Sequence, residues 1–501
     1  MIRPSTRCSG LGQLVLLLSS LLLPACQAEI YTFSSWQVPP AGGLQALHAF
    51  YVFAPKDLRK GQIAPTLTFD KLVAMPSDKS PEALEAFKRS EAEGYRGLQV
   101  HVMKWEDYSA YVKFGKHCSK PDAEHPNRKV NVWLSLPADV KFGDVSLFSA
   151  TVRLNNTEEV TRPSVLDATG VWVMFVTNCG EFERAKISGE VAIKSSYGYL
   201  PGSELHKRTI RYALLVGYLV VGLFWAYQCT QRQQEVGPLH HCISTLLMIG
   251  FAECLLWFWF YYSWNVDGVK HNGVLGCAST LSVMKTIALS SLLPALARGW
   301  YITTADVTEE VLWRIKLLAI CYLVTDSAWQ ITLHFRSRES MTMVTLVLAF
   351  VPVYAQHAGV FAWVYRLLSE TRRTLQDRGQ TDMCFIFATF QRVLVAAIVL
   401  VSLALCGELL VAQDSVHRWR FHWLAADGIT QPLFLVVLVV LMLLWGPGSV
   451  NKSSILTEES KDVIAEDQPL VGGASDEEDE ETGGSPAVLA PTKLGAAAAL
   501  E

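Results

Sequence analysis

Seven apolar segments in the second half of the chain constrain its fold most strongly. They are residues 210–227, 242–263, 273–297, 315–335, 342–368, 390–411 and 428–445. Each comes close to the roughly 20 residues that cross a bilayer as a helix. A segment that meets lipid must pair its backbone polar groups internally, and a helix does so. The sequence therefore predicts a seven-helix transmembrane bundle over residues 206–447.

The first 28 residues have the layout of a secretory signal sequence. Basic residues precede an apolar run, residues 14–23, and small residues follow it up to Ala28. Such a segment is removed during export, so we expect residue 29 to enter the lumen and the C-terminus, after seven passes, to stay in the cytosol. Lys207, Arg208 and Arg211 lie on the luminal side of the first helix, against the usual bias of basic residues toward the cytosol. We therefore expect the signal sequence to decide the orientation.

Residues 29–205 are predicted to form a luminal β-sandwich. Alternating or β-branched runs between turn residues predict strands at 98–103, 108–114, 129–136, 145–154, 170–176 and 187–193. Short strands at this spacing are typical of a sandwich. One helix is predicted over residues 82–93, because Ser80 can cap it, Pro81 suits its first turn and Gly94 can end it. The predicted fold class is thus an α+β membrane protein, a β-sandwich followed by a helical bundle.

Cysteine usage indicates one disulfide in the luminal part. Of the eleven cysteines in the chain, only Cys118 and Cys179 lie in residues 29–205. The secretory pathway is oxidising, so we expect these two thiols to pair. The alternative is two buried thiols that are too far apart to bridge. Asn155 begins an Asn-Asn-Thr sequence, which is an acceptor for N-glycosylation.

The chain after the last apolar segment, residues 448–501, is predicted to be a disordered cytosolic tail. Residues 451–501 hold twelve acidic residues against three lysines, and residues 476–481 are all acidic. A segment of this composition cannot bury a core. Residues 466–471 faintly resemble an acidic di-leucine sorting signal, so sorting adaptors are candidate partners of the tail.

Three ionisable residues lie near the middle of predicted helices, where a charge is costly. They are Glu253, Lys285 and Asp326. A charge at the bilayer centre costs roughly 2.5 to 3.5 kcal/mol, so these side chains should face the bundle interior. Glu253 and Lys285 lie at a similar depth, about 16 to 18 Å below the luminal surface at about 1.5 Å per residue. They can therefore meet as an ion pair.

This pair has two interpretations. Glu253 and Lys285 can line a polar cavity that binds a ligand or a lipid headgroup, or passes ions. Alternatively, they form a structural pair that fixes the second and third helices, since a buried pair is a weak stabiliser but costly to break. Asp326 argues against the purely structural role, because a lone pair needs no third charge, and Thr325 and Gln330 beside it suggest local hydration.

No arrangement of residues indicates catalysis, a cofactor or a metal. His240 and His241 lie at a helix start without the spacing of metal ligands, and no phosphate-binding glycine loop is recognisable. We therefore expect a protein that is not an enzyme and uses no cofactor. The alternative is an intramembrane hydrolase that uses His240, His241, His334 or His357. A nucleic-acid partner is not expected, because the chain lacks a basic aromatic patch.

Five short motifs in and beside the predicted helices carry a family resemblance. They are Ser-Tyr-Gly-Tyr-Leu-Pro at 196–201, Gly-Phe-Ala-Glu at 250–253, Ser-Val-Met-Lys at 282–285, Arg-Gly-Trp-Tyr at 298–301 and Leu-Trp-Gly-Pro at 444–447. With these motifs the chain resembles the GOST family, Golgi-localised seven-transmembrane proteins with a GOLD-like luminal domain, also called the lung seven-transmembrane receptor family. The short luminal part is most similar to the transmembrane protein 87 branch. Gly446 departs from that branch, which tends to have Arg there, and the luminal half resembles the family by layout only.

The resemblance implies a GOLD-like sandwich on a bundle with an inner, lipid-accessible cavity, and residence in the Golgi. Glu253 and Lys285 match the family's intramembrane acid and base, which favours a place in that cavity. The leading hypothesis is a non-enzymatic Golgi membrane protein that assists trafficking between Golgi, endosome and cell surface by binding luminal cargo, or membrane lipid in the bundle cavity. The alternatives are an ion channel or transporter with a polar path at this pair, and a luminal ligand receptor without ordinary G-protein coupling.

Overall fold

A computed structural model describes much of the strand-rich part and most of the helical part of the chain. The described residues are 30–40, 42–54, 64–76, 81–82, 85, 98–114, 147–154, 163–178, 185–303, 307–334, 343–413, 415–421 and 423–447. The predicted signal sequence, Cys118, Cys179, Asn155, most of the predicted helix at 82–93, the predicted strand at 129–136 and the acidic tail lie outside the described residues. What the sequence predicts for them stays a prediction.

Nine strands in the described residues form two sheets. They are β1 (Ile30–Gln37), β2 (Leu44–Val52), β3 (Thr66–Pro76), β4 (Leu98–Lys104), β5 (Phe148–Thr151), β6 (Arg153–Leu154), β7 (Ser164–Val165), β8 (Gly170–Asn178) and β9 (Ala185–Lys194). One sheet has the order β1-β9-β3-β6, with β7 paired to β3, and the other has the order β2-β8-β4-β5. The pairs are antiparallel except β3 with β6.

The two sheets pack face to face around one apolar core. Phe33, Phe69 and Val191 come from the first sheet, Phe50 and Trp172 come from the second, and all five are buried in one cluster. Side chains of two sheets that interdigitate in this way form a β-sandwich. The sandwich agrees with the predicted fold class, whereas its GOLD-like character stays a prediction.

A helix covers the outer face of the second sheet, and it corrects one sequence prediction. Residues 108–114, predicted as a strand, belong to α1 (Trp105–Phe114). Their aromatic residues favour a strand, but Tyr108 and Tyr111 lie three apart and both pack on Phe175 of β8. Glu106 and Asp107 in the first turn also suit a helix N-terminus. Because α1 covers Phe175, β8 is buried on both faces.

Three strands with alternating or β-branched sequences follow the prediction. Those predicted at 98–103, 170–176 and 187–193 are confirmed as β4, β8 and β9. The described part of the segment predicted at 145–154 is divided into β5 and β6.

The strands that the sequence did not predict are β1, β2, β3 and the two-residue β7. Both β1 and β3 are interrupted by a shift in register, at Ser35 and Lys71, where φ is 55° and 52°. An inserted residue reverses the face to which all later side chains point. The alternation that identifies a strand is therefore lost in these two segments.

Seven long helices in the described residues follow the sandwich. They are α2 (Leu205–Gln231), α3 (Pro238–Asp267), α4 (Asn272–Ala297), α5 (Glu309–His334), α6 (Met343–Asp377), α7 (Thr381–Gln413) and α8 (Thr430–Leu444). Each predicted apolar segment coincides with one of them. Between α7 and α8 the chain forms a short helix (Ser415–Arg418), a 3₁₀ turn (Trp419–Phe421) and a π-helical turn (Leu424–Gly428).

Four of the helices are long and apolar enough to cross a membrane. They are α2, α3, α4 and the part Thr381–Gly407 of α7. Helix α8 is apolar but has 15 residues, fewer than the roughly 20 that span the hydrocarbon core. Helices α5 and α6 have 26 and 35 residues, but their sequences are too polar or too charged to meet the requirement that the other four helices meet. The helical part is thus membrane-embedded and multi-pass, and the count of seven passes stays a prediction.

Asn265 of α3 joins the bundle to the segment that follows the sandwich. Its side-chain amide donates to the carbonyl of Tyr197 at 2.5 Å, and its side-chain oxygen accepts from the Leu200 N–H at 3.3 Å. Its backbone carbonyl accepts from the Tyr199 N–H at 2.9 Å. Gly198 between them has φ of 122°, and a Cβ atom there would collide with Asn265. This junction is the 196–201 motif of the sequence.

A second contact between sandwich and bundle is aromatic. Trp419 packs on Tyr51 of β2 and on the following Phe53, with ring centroids 5.4 and 4.9 Å apart. His206 in the first turn of α2 packs on Phe53 and on Trp423, at 6.2 and 5.1 Å. The sandwich therefore rests on the bundle end at which α2 begins and α3 ends.

Candidate functional site within the helical bundle

Glu253 of α3 and Lys285 of α4 form the ion pair that the sequence predicts. The ammonium group of Lys285 contacts Glu253 Oε2, and it donates to Gln431 Oε1 of α8 at 2.7 Å. The side chain of Glu253 is 0% exposed and that of Lys285 is 6% exposed. A buried charge must be compensated by a partner of opposite sign, and this pair meets that condition.

The second carboxylate oxygen of Glu253 is held by donors from both neighbouring helices. Ser282, one helical turn before Lys285 on α4, donates to Glu253 Oε1 at 2.7 Å. Arg211 of α2 donates to the same oxygen at 3.4 Å. The indole N–H of Trp257 donates in turn to the Ser282 hydroxyl at 3.1 Å, and the Arg211 guanidinium lies 5.3 Å from the centre of the Trp257 ring. The carboxylate is thus fixed by three helices.

Arg211 is a site residue that the sequence did not identify. The topology argument treats it as a flanking charge, but its side chain is 3% exposed and donates to Asp427 at 2.6 Å. Lys207, one turn earlier on the same face of α2, pairs with Glu204 at 2.9 Å and lies 3.8 Å from Asp427. The spacing of Lys207 and Arg211, four residues apart, was the available signal, since such residues share a helix face.

We call Glu204, Lys207, Arg211, Glu253, Lys285 and Asp427 the charge network. It contains three acidic and three basic side chains, so its formal charge is balanced. It begins at the sandwich end of α2 and continues to Lys285. Because Lys207 and Arg211 are buried and paired with acids, they are not free basic charges in the sense of the topology rule.

Asp326 of α5 lies beside this network without an ion pair of its own among the described residues. Its side chain is buried, near the Thr286 hydroxyl and within electrostatic range of Lys285. The structure therefore brings the three predicted residues into one region, with Glu253 and Lys285 in contact and Asp326 adjacent.

Other polar side chains of the bundle have local hydrogen bonds. The Thr325 hydroxyl donates to Gln356 Oε1 at 2.7 Å, and His357 Nδ1 lies 2.8 Å from the Val353 carbonyl. His240 Nδ1 accepts from the Gly237 N–H at 3.0 Å at the start of α3. Within the described residues no three His, Cys, Asp or Glu side chains are grouped as metal ligands.

Two polar atoms next to the network are buried and have no protein partner among the described residues. They are Arg211 Nε and the hydroxyl of Tyr218. Tyr218 follows Arg211 by seven residues, which is about two turns of α2. Tyr218 packs closely against the backbone of α3, because a Cβ atom on Gly250 would come within 2.6 Å of its ring. Gly250 is therefore required for the close approach of the two helices.

Comparison with known families agrees with this arrangement. Residues 207–452 match the family described as "GOST, seven transmembrane domain". The helical part of this chain belongs to the GOST family. The resemblance carried by the five sequence motifs is thereby confirmed, and the GOST match begins at Lys207, the first basic residue of the charge network.

Several GOST relatives are similar at low identity. Transmembrane protein 87A of Xenopus tropicalis is 21% identical over 296 residues, which cover 59% of this chain and 52% of that protein. Transmembrane protein 87B of Mus musculus is 21% identical over 278 residues, 54% of this chain and 49% of that protein. Membrane protein PTM1 of Saccharomyces cerevisiae is 21% identical over 276 residues, 52% and 51%. The matches span about half the length of these relatives.

Proposed function

We propose that this GOST-family protein is a non-enzymatic resident of the Golgi membrane. It assists trafficking between Golgi, endosome and cell surface by binding luminal cargo or membrane lipid. In this proposal the sandwich lies in the lumen and the acidic tail lies in the cytosol, where it can meet sorting adaptors. The observation that carries the proposal is the buried charge network inside a membrane bundle, directly below a β-sandwich.

The cost of burying these charges supports a role in binding. Apolar side chains of similar volume stabilise a protein as well as a buried ion pair does, or better. Charges within membrane helices are rare and mark ligand or ion pathways. Within the part of the chain that the structure describes, the network also leaves Arg211 Nε and the Tyr218 hydroxyl without a protein partner. Buried polar atoms of this kind are usually met by water or a ligand.

The proposal is tested in cells that lack the protein. The tagged full-length chain should co-localise with a Golgi marker, and its deletion should change the set of glycoproteins at the cell surface. Wild-type protein and Cys277→Ser, an exposed residue of α4, should restore that set. Glu253→Gln and Lys285→Met should reach the Golgi without restoring it. Residence in the endoplasmic reticulum or plasma membrane, together with unchanged sorting after deletion, would contradict the proposal.

A second candidate is an ion-conducting or transport protein. The continuity of the charge network favours it, because ionic side chains lead from Glu204 at the bundle end to Lys285, and Asp326 continues beyond. Purified protein in liposomes should then carry a current that Lys285→Met alters and Cys277→Ser leaves unchanged. Bilayers that remain silent with folded protein would exclude this candidate.

A further inference from the structure

A cleft outside the charge network lies between the end of α3 and the start of α4. Its volume is about 660 Å³, and its lining includes Trp259, Ser263, Asp267, Lys270 and His271. This volume falls within the range of roughly 300–1,000 Å³ that is usual for small-molecule sites. Ile30, whose N–H approaches the carbonyl of Gly268 at 3.5 Å, shows that the sandwich lies at this end of the helices.

The lower wall of the cleft faces the membrane. Both α3 and α4 are membrane-crossing helices, and Trp259 is 55% exposed on the outside of α3. Its exposed neighbours on that helix, Leu255, Tyr262 and Val266, are apolar or aromatic as well. Trp259 precedes Asp267 by eight residues, so it lies about 12 Å deeper along the helix at about 1.5 Å per residue.

The upper rim of the cleft is charged. The Lys270 ammonium lies 4.5 Å from the centre of the Trp264 ring, and His271 Nε2 lies 3.1 Å from a carboxylate oxygen of Asp267. These contacts hold the basic groups at the mouth of the cleft. Lys and His donate to phosphate oxygens, whereas the adjacent Asp267 disfavours a headgroup with several negative charges.

We infer that this cleft binds a glycerophospholipid of the leaflet on the sandwich side, with its phosphate at Lys270 and His271 and one acyl chain along Trp259. A water-soluble ligand has no apolar part to place against the membrane-facing wall, and a sterol has no phosphate that could accept from Lys270 or His271. A phospholipid matches both, because its polar and apolar parts are separated along the same direction as the rim and the wall. The ammonium group of a zwitterionic headgroup can form an ion pair with the carboxylate of Asp267.

The test is photolabelling of the full-length protein in detergent micelles by a phosphatidylcholine that carries a diazirine near the start of one acyl chain. Labelled peptides are mapped by mass spectrometry. We expect labelling within residues 259–274, displaced by unlabelled phosphatidylcholine but not by diacylglycerol, cholesterol or glycerophosphocholine. Lys270→Gln should weaken labelling about tenfold, since one charge-assisted contact to phosphate is lost. Lys270→Arg should retain it.

Two matched variants separate this site from general contact with lipid. Lys194→Gln removes another lysine that lies over an aromatic ring, that of Tyr199 at 5.3 Å, and it should leave labelling unchanged. Trp259→Ala should weaken labelling, whereas Phe224→Ala, at an exposed aromatic residue of α2 outside the cleft, should not. Equal displacement by diacylglycerol or cholesterol would overturn the phosphate assignment. Labelling that neither Lys270→Gln nor Trp259→Ala changes in folded protein would overturn the site itself.

Discussion

Arg211 donates to Asp427 at 2.6 Å across 216 residues of sequence, and it is the residue through which the charge network reaches Glu253. Asp427 belongs to the π-helical turn before α8, and Trp419 and Trp423 shortly before it pack on the sandwich and on α2. One basic side chain thus connects the beginning and the end of the bundle. The contact also lies close to the surface on which the sandwich rests.

Removal of this basic group should destabilise the bundle strongly. Arg211→Met leaves Glu253 and Asp427 with less positive charge nearby, and breaking a buried pair from one side costs about 3–5 kcal/mol. The unfolding free energy of purified protein in detergent measures this change. Arg314→Met is the matched control, because Arg314 forms a solvent-exposed pair with Glu310 at 2.5 Å, and such pairs contribute about 0–1 kcal/mol. Equal losses for the two variants would contradict the role of Arg211.

The two ends of the central ion pair should be energetically coupled. Glu253→Gln and Lys285→Met should each destabilise the protein, because each leaves one buried charge less compensated. The double variant should lose less than the sum of the two, by about 0.5–3 kcal/mol, as residues in contact do. The four unfolding free energies of this cycle provide the measurement. Strict additivity would mean that the contact between the two side chains contributes nothing to stability.

The junction below the sandwich should tolerate no side chain at Gly198. In Gly198→Ala the Cβ atom would meet Asn265 while φ stays at 122°, so we expect a loss of about 1–3 kcal/mol from backbone strain and displaced hydrogen bonds. Hydrogen exchange of residues 195–205 should accelerate. Gly42→Ala is the control, because Gly42 also has a positive φ, 77°, but open space where the Cβ would lie. Equal exchange rates of residues 195–205 in Gly198→Ala and in the wild-type protein would contradict this description of the junction.

The sandwich should lose stability in acid through His101. Burial lowers the pKa of His101 from 6.5 to about 3, and its ring nitrogens lie 2.6 and 2.8 Å from the hydroxyls of Ser149 and Thr177. The folded state therefore binds fewer protons than the unfolded state. The contribution of His101 is complete above pH 6.5 and is lost as the pH falls toward 3, by about 2 kcal/mol between pH 7 and pH 5.

This pH dependence is measured as the unfolding free energy of the full chain at pH 7, 6 and 5. The decrease should be smaller in His101→Gln, whose side chain does not titrate. It should persist in His48→Gln, since His48 is only partly buried and stacks on Tyr31 at a centroid distance of 4.3 Å. An unchanged decrease in His101→Gln would assign the acid sensitivity to other groups.

The prediction of strands succeeded where local pattern alone determines structure. Strand β8 reads as a continuous apolar run, and it is buried on both faces. The bulges at Ser35 and Lys71 removed the alternation from β1 and β3, and the aromatic content of residues 108–114 resembled a strand until packing on Phe175 made it a helix. Local propensity is a weak preference that tertiary contacts override.

The sequence by itself determined the helical membrane part, the sandwich, the family and the pairing of Glu253 with Lys285. The helical part and the ion pair follow from the length of apolar runs, from the cost of charge in lipid and from a similar depth in antiparallel helices. The sandwich follows from the pattern of short strands, and the family follows from the resemblance that the five motifs carry. Only the tertiary structure decided that Arg211, Asp427 and Gln431 belong to the same site. Their proximity depends on how the first and last helices close against each other, and no local pattern encodes a contact between residues more than 200 positions apart.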